Sequence, residues 1–414
     1  MRSAPYGSAL ADWSELLGAE HVVTEAPVLH AAETGTFAST HRIPAIIRPG
    51  CRQEVQECLR IANRQDTPVY PISSGRNWGY GSRIPPADGC VLMDLRRMNR
   101  IVDFSESLAY VTVEPGVTQA QLYSFLEERG SNLWMDVTGA SPQCSLIGNA
   151  VERGFGHTPY GDHFAHVCGL EVVLPTGDAI ETGFARFPSA QAAPVYHWGV
   201  GPALDGLFSQ SNYGIVTRMT IWLMPRPEYF QAYYFRCEEA QGLPAAIDAL
   251  RPLRLDGTIR SASHIANDYK VVSALRQYPW LETGGRTPLD GTVMAKLRDE
   301  LKIGAWNGSG ALYGTKRQVQ EARRLLRKAL HGKAQRGQFR AGWPGGGCVL
   351  GCDGCECAAA DRGRPRADHD SVRGYRDRAA VGGFAAEEEV ALGRWLLARP
   401  RPDGRGSVRM GADL

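Results

Sequence analysis

Apolar and polar residues alternate with two different periods along the first 330 residues. Over 53–64 the helical period dominates, placing Val55, Cys58, Leu59 and Ala62 on one face. Short β-rich runs follow at 68–72, 91–95 and 110–113. Thr118 with Gln121 predicts a capping box opening a helix that carries Leu122, Phe125 and Leu126, and Gly130 stops it. Leu133 to Val137 reads as a strand. Val172 to Leu174 and Ala179-Ile180 flank Pro175-Thr176-Gly177-Asp178, which predicts a hairpin. Gly214 to Met224 is a long β-rich run ending at Pro225.

Pro225-Arg226-Pro227 marks a domain boundary. A strand is expected over 229–235, then a helix with Leu243, Ala246, Ile247 and Leu250 on one face. A second strand is expected over 258–265. Thr315 and Gln318 predict another capping box, for a helix with Val319, Ala322, Leu325, Leu326 and Leu330 on its apolar side. This part reads as a separate α+β unit.

Residues 334–414 break the pattern. Their 81 residues contain 13 Arg, 15 Gly and 13 Ala, and no Lys, Ile, Thr or Asn. The four missing residues share codons beginning with A. Their joint loss is what an out-of-frame reading of a GC-rich gene produces. A frameshift near codons 330–345 is therefore expected, against a genuine Arg/Gly/Ala-rich tail. Within the tail, 387–397 still has a helical pattern.

Composition narrows the class. The 414 residues are 43% hydrophobic and 22% charged, ordinary for a soluble globular chain of two or three domains. Lys and Arg number 46 against 44 Asp and Glu, so bulk charge offers no case for nucleic acid or membrane. No apolar run is long enough to span a bilayer, and the N-terminus has no signal-like core. A cytoplasmic protein is expected, with later export to the periplasm left open. Six cysteines are scattered without a disulfide framework, which suits a reducing compartment. The other four, Cys348, Cys352, Cys355 and Cys357, sit in the tail, too irregularly spaced to predict a metal site.

Three loops carry candidate chemistry. The first is Pro71-Ile72-Ser73-Ser74-Gly75-Arg76-Asn77-Trp78-Gly79-Tyr80-Gly81. It follows a strand, and its small residues let the backbone approach a ligand and aim N–H groups at a pyrophosphate. It lacks the G-x-G-x-x-G spacing and a following helix, so it is not a Rossmann turn; an ordinary Gly-rich turn is the competing reading. The second is Gly139 to Ala150, including Ser145, Gly148 and Asn149. It runs into Glu152 to His163, a stretch dense in proton donors and acceptors, whose competing reading is a self-bonded polar loop. The third is Phe208 to Thr217, where Gly214 enters a strand beside Val216, a mark of close backbone approach.

Taken together, SGRNWGYG at 74–81, VEPGVT at 113–118, LWMDV at 133–137, IGNAVERGFGHTPYGDH at 147–163, GLEVVLPTGD at 169–178 and GLFSQSNYGIVTRMTIWLMP at 206–225 resemble one family. It is the FAD-linked family of vanillyl-alcohol oxidase, p-cresol methylhydroxylase (4-cresol dehydrogenase) and eugenol hydroxylase. The resemblance covers about 42–333. It implies an α+β fold: a two-subdomain FAD-binding domain at 1–225 and an α+β substrate cap opening at 226–333. The cap is incomplete, because the family's returning C-terminal portion is not recognisable in 334–414.

The resemblance further implies oxidation of 4-alkylphenols in aromatic catabolism, by benzylic hydride transfer to flavin and a p-quinone methide that water hydroxylates. FAD would be held by Ser74, Gly75, Arg76, Asn77, Gly79, Tyr80, Gly81, Gly139, Ser145, Gly148, Asn149, Gly154, Gly214 and Val216. Tyr80 matches the tyrosine that bonds the phenolate, against a packing role. His157 stands where the oxidase has an active-site tyrosine and is the second catalytic candidate, against a satisfied loop histidine. Asp162 and His163 read as structural. Thr138-Gly139-Ala140-Ser141 lacks the acidic residue that the oxidase carries near the flavin, which favours a dehydrogenase or hydroxylase. Cytochrome c is then one candidate acceptor, and a homodimer is admitted. The family's second phenolate-binding pair and its covalent flavin attachment are not found; Tyr375-Arg376 resembles the pair only by chance. Two other readings stand beside this one. The chain is a catalytically dead fragment, or it keeps the flavin domain and takes an alditol, hydroxy acid or cytokinin; Tyr80 and TPYGDH argue against the last.

Overall fold

The computed structural model describes residues 6–341 apart from 36, 38 and 77–82, and for 335–341 the backbone alone. The chain begins with an antiparallel–parallel sheet in the order Val22–Val23, Ile46–Ile47, Val91–Asp94, Val69–Ile72. Helix Arg52–Arg64 makes the crossover between its parallel strands and buries Val55, Cys58, Ile61 and Ala62, while Leu59 is only partly covered. The first helix, Gly7–Leu17, lies across it. There Trp13 is fully buried and donates its Nε1–H to the Cys58 carbonyl at 3.2 Å, so the indole loses water without losing its hydrogen bond. All four residues of Val91–Asp94 are buried, as expected of a strand covered on both faces.

A second sheet is wholly antiparallel, in the order Ile101–Ser105, Tyr110–Val113, Ile215–Trp222, Val167–Val173, Ala179–Glu181. Helices Gln119–Glu128 and Leu146–Val151 contribute Leu122, Leu126, Ile147 and Ala150 to its core. The two sheets belong to one body. Val173 and Ile215, the first register pair of the central ladder, pack into the core of the first sheet. Buried Glu171 adds an ionic joint. It takes Arg52 and Arg218 each at 2.9 Å and the Thr217 hydroxyl at 2.8 Å.

The third layer is a separate antiparallel sheet, His264–Asn267, Trp306–Gly314, Tyr229–Cys237, Gln335–Ala341. Period-two alternation sends Tyr233, Phe235 and Cys237 into a core shared with helices Gly242–Leu255 and Lys316–Leu330. Opposite Tyr233 and Phe235 stand Gly310 and Gly308, and a Cβ at either glycine would overlap the aromatic ring. Glycine is needed there because the rings lie flat across the neighbouring strand. Two more helices, Asp268–Leu275 and Gly291–Leu301, close a small satellite core around Val272, Met294 and Leu297.

Several expectations are refined. Thr118 caps its helix by accepting from Gln121 N–H, but the Gln121 side chain donates to Asn99 O instead of closing the box. The Thr315–Gln318 box is complete. Ile247 is exposed, so only Ala246 and Leu250 of the expected face are buried. The strand expected over 258–265 begins only at His264, because Arg254 draws the carbonyls of Ile259 and Ser261 into a bend. The strand expected over 133–137 is limited to Leu133–Trp134. Beyond residue 333, where composition changes, strand 335–341 still pairs with Tyr229–Cys237.

Candidate active site

The first two Gly/Ser loops meet. Ser145 N–H donates to Ser74 Oγ at 3.1 Å, and the Cys144 thiol reaches the Arg76 carbonyl at 3.2 Å. Ser145 caps the helix behind it by accepting Gly148 N–H at 3.0 Å and is anchored by donating to Pro115 O at 2.5 Å. Gly148 lies against Ser73, where a Cβ would sit 3.1 Å from the hydroxyl. At Gly154 a Cβ would run into the Asn149 side chain. These glycines let the loops close on each other and on Asn149, and the cradle at their junction is made of backbone and small hydroxyls, a donor set that suits the pyrophosphate of a dinucleotide. Gly75 has φ +66° and so takes the left-handed conformation that glycine permits.

The other expected residues fall elsewhere. Gly139 is exposed. Gly214 packs on Val172 and the Val173 carbonyl, and Val216 is a core residue paired with Val172. Their glycine and valine are explained by sheet packing. Asn77, Gly79, Tyr80 and Gly81 lie outside the described residues, as do the tail cysteines, Tyr375-Arg376 and 387–397.

Residues 155–163 form the floor of a second cluster. Asp136 Oδ1 accepts from Val137 N–H at 2.8 Å and from Thr158 N–H at 3.2 Å, holding the loop down. Gly156 leaves room for that carboxylate. His163 is gripped by Asn149 Oδ1 at its Nδ1, while its Nε2 lies 3.3 Å from Asp136 Oδ2. The structural reading of His163 fits this geometry. Asp162 caps the following turn through Ala165 N–H. A cavity of ≈ 30 Å³ lined by Asp136, Ser145, Asn149, Tyr160 and His163 joins this cluster to the cradle.

The cap closes over the loop. The Tyr313 hydroxyl donates to the His157 carbonyl at 2.9 Å, and its ring packs with Trp134 and Phe230. The His157 ring stacks on His264 of the cap, with centroids 4.2 Å apart. Phe155 covers His264 further along, at 5.1 Å. Burial holds His157 below the ordinary imidazole range, with the Asp136 carboxylate pulling the other way. Burial, reinforced by His157, lowers His264 to about 4. Burial chiefly, then Asp136, raises the Tyr313 hydroxyl, which stays protonated as a donor.

Asp136 Oδ2 and His163 Nε2 face each other at 3.3 Å, which leaves two polar atoms here buried with no partner, His157 Nδ1 and His264 Nε2. An unsatisfied buried polar atom costs about 1–3 kcal/mol. Two on one pair of stacked rings are the mark of a site that a ligand or water completes. Sequence reasoning missed Asp136, His264 and Tyr313. Asp136 stands inside LWMDV, two residues before Thr138-Gly139-Ala140-Ser141, the stretch where the resemblance expects a carboxylate. Nothing in the local sequence distinguishes His264 or Tyr313.

Two Ser/Gly loops that meet, with a separate cap sheet closing over the neighbouring 155–163 loop, are the arrangement expected of an FAD-linked oxidoreductase. A family model described as an FAD binding domain matches residues 43–183. The chain is 51% identical over 332 residues to 1'-carboxy-chondrochloren decarboxylase of Chondromyces crocatus, covering 80% of this chain and 61% of that protein. It is 36% identical over 319 residues to the flavoprotein subunit of 4-cresol dehydrogenase (hydroxylating) of Pseudomonas putida, covering 76% and 61%. Among solved structures, p-cresol methylhydroxylase with substrate bound superposes with TM-score 0.76 at 32% identity, covering 82% of this chain and 67% of that one. The isoeugenol complex of 4-ethylphenol oxidase from Gulosibacter chungangensis gives 0.74 at 32% identity, with 82% and 66% covered. The chain belongs to the p-cresol methylhydroxylase and vanillyl-alcohol oxidase family of FAD enzymes. It spans 61% of the length of the two curated relatives named here.

Proposed function

We propose that this chain oxidises 4-alkylphenols, removing the benzylic hydride to give a p-quinone methide that water converts to the alcohol. The flavin, when bound, supplies the hydride acceptor. Ser74, Gly75, Arg76, Ser145, Gly148, Asn149 and Gly154 hold it, with Gly139, Gly214 and Val216 contributing only backbone. Asn77, Gly79, Tyr80 and Gly81 complete the first loop. The division into 1–225, 226–333 and the atypical 334–414 is retained; the separate core clusters on either side of Pro225 support its first boundary.

A free phenol has a pKa of about 10, so the substrate arrives neutral. Hydride leaves readily only from the phenolate, which hydrogen-bond donors in a dry pocket must favour. Tyr80 takes that role. His157 serves the other end of the reaction. Its buried neutral ring offers an unpartnered Nδ1 for a proton. Asp136 and Tyr313 fix the loop that carries it. The observation that carries the proposal is this group of unpartnered buried atoms beneath the cap. Relatives named for cresol and ethylphenol chemistry support the substrate class.

A second reading is favoured by the relative named as a decarboxylase. A quinone methide with a carboxylate on the carbon next to the benzylic position loses CO2. The pair of electrons from the broken C–C bond forms the alkene and restores the phenolate. Both readings share the first step. A third, an inactive flavin-binding fragment, rests on the composition of the tail.

The test is an anaerobic visible spectrum of the full 414-residue chain with FAD supplied, before and after 4-ethylphenol. Bleaching of the bound-flavin band is expected. Bound flavin that no phenol reduces would sink the proposal in favour of the fragment. A 3-(4-hydroxyphenyl)propanoate substrate that releases CO2 as it is oxidised and the flavin bleaches would select the decarboxylase reading.

A further inference from the structure

We propose that His264, on the cap, is a positioning residue of the reaction chamber and works with His157 as one unit that receives the proton of the attacking water. The inference deepens the phenol-oxidation reading and rests on it.

The geometry is specific. Two imidazoles from different units stack at 4.2 Å with 28° between their planes, and Phe155 extends the stack at 5.1 Å. Each imidazole keeps one buried nitrogen without a partner. A packing histidine in an apolar stack normally finds a carbonyl or hydroxyl for such a nitrogen. Here the His157 carbonyl, not its ring, is tied to the cap through Tyr313. The ring is thus set by the stack, and His264 sets the stack.

The groups facing His157 are Asp136 and His163 from the flavin domain and His264 and Tyr313 from the cap. Burial in the seam keeps both stacked imidazoles neutral at neutral pH, so each presents a lone pair as well as an N–H. In the step assigned to them, the water oxygen bonds to the exocyclic carbon of the quinone methide. The exocyclic C=C pair moves into the ring and restores the phenolate. One water proton passes to His157 Nδ1. Because the base sits on one side of the chamber, water adds to one face only. Lyase-type loss of CO2 from the same intermediate releases no proton and does not need the pair.

The test uses the full chain with FAD and 4-ethylphenol. His264→Phe keeps a stacked ring and removes the nitrogens; His264→Ala removes the stack; His157→Phe removes the base. The wild type is expected to give one enantiomer of 1-(4-hydroxyphenyl)ethanol. His157→Phe should give near-racemic alcohol, from quinone methide that hydrates after escape. His264→Ala should lower the enantiomeric excess at least threefold, and His264→Phe should fall between that and the wild type. NMR of ring-labelled histidine, without substrate, supplies a second readout: the His157 titration should move up towards the ordinary range in His264→Ala. Reduction of flavin by phenol with unchanged enantiomeric excess and unchanged His157 titration in both His264 variants would overturn the pairing alone. No flavin reduction by phenols in the wild type would overturn the function beneath it.

Discussion

The flavin domain and the cap meet through aromatic and imidazole rings but are built on different logic. In the flavin domain two sheets share core residues, and the candidate residues sit on loops that read as motifs. In the cap one sheet packs helices Gly242–Leu255 and Lys316–Leu330 on one face, and its candidate residues are two single side chains, His264 and Tyr313, on strands facing the other unit. The lesson is that a loop cradle announces itself through glycines and small hydroxyls, which few other structures need. A strand residue facing a neighbour announces nothing, because alternation alone cannot say what the second face meets.

The largest expected effect breaks the flavin domain. Trp13→Ala removes a fully buried indole and its bond to Cys58 O, and should cost about 3–5 kcal/mol by denaturant unfolding. An unchanged midpoint would mean that the first helix does not belong to the cooperative unit. Glu171→Ala separates the two sheets' ionic joint and leaves Arg52 and Arg218 without it. Both arginines are partly solvated, so about 2–4 kcal/mol is expected. Loss confined to the flavin domain, with the cap still folded by hydrogen exchange, would sharpen the contrast between the units.

Gly310→Ala tests the cap. A methyl there meets the Tyr233 ring, and about 1–3 kcal/mol of overpacking is expected, with the flavin domain untouched. The smallest effect tests the seam between them. His264 titrates at about 4 in the folded chain against about 6.5 unfolded. Between those values the unfolded chain binds more protons. This contribution is therefore intact above about pH 6.5 and is lost as pH falls towards 4. Partial solvent access limits it to about 1–2 kcal/mol. Comparing urea unfolding of the wild type and His264→Phe at pH 7 and pH 4.5 measures it. Equal pH slopes would show that the ring is solvated and the cap is not closed on the loop.

Much of the fold was legible. The helix at 52–64, the hairpin across Gly177 and the boxed helix at 316–330 follow from periodicity and turn chemistry, which act within a few residues. The misses share one cause. Gln121 left its box for Asn99, the strand over 258–265 was bent by Arg254, and Ile247 faced water because distant groups competed for them. In the site, Ser74, Ser145, Gly148 and Asn149 were legible as loop residues, and the structure brings them together. The side chain of Val216 belongs to the core, and a valine in a strand has the same local signal there as beside a cofactor.

By itself the sequence determined the family, the need for FAD and the loops expected to meet it, because small residues at fixed spacing are constraints that a chain carries locally. Only the tertiary structure decided that Asp136 lies beneath Gly156 and that His264 stacks on His157, 107 positions earlier in the chain. Those contacts arise when the cap sheet settles on the flavin domain. Packing of two separately folded surfaces chooses them, and no local pattern encodes which side chains will then face each other.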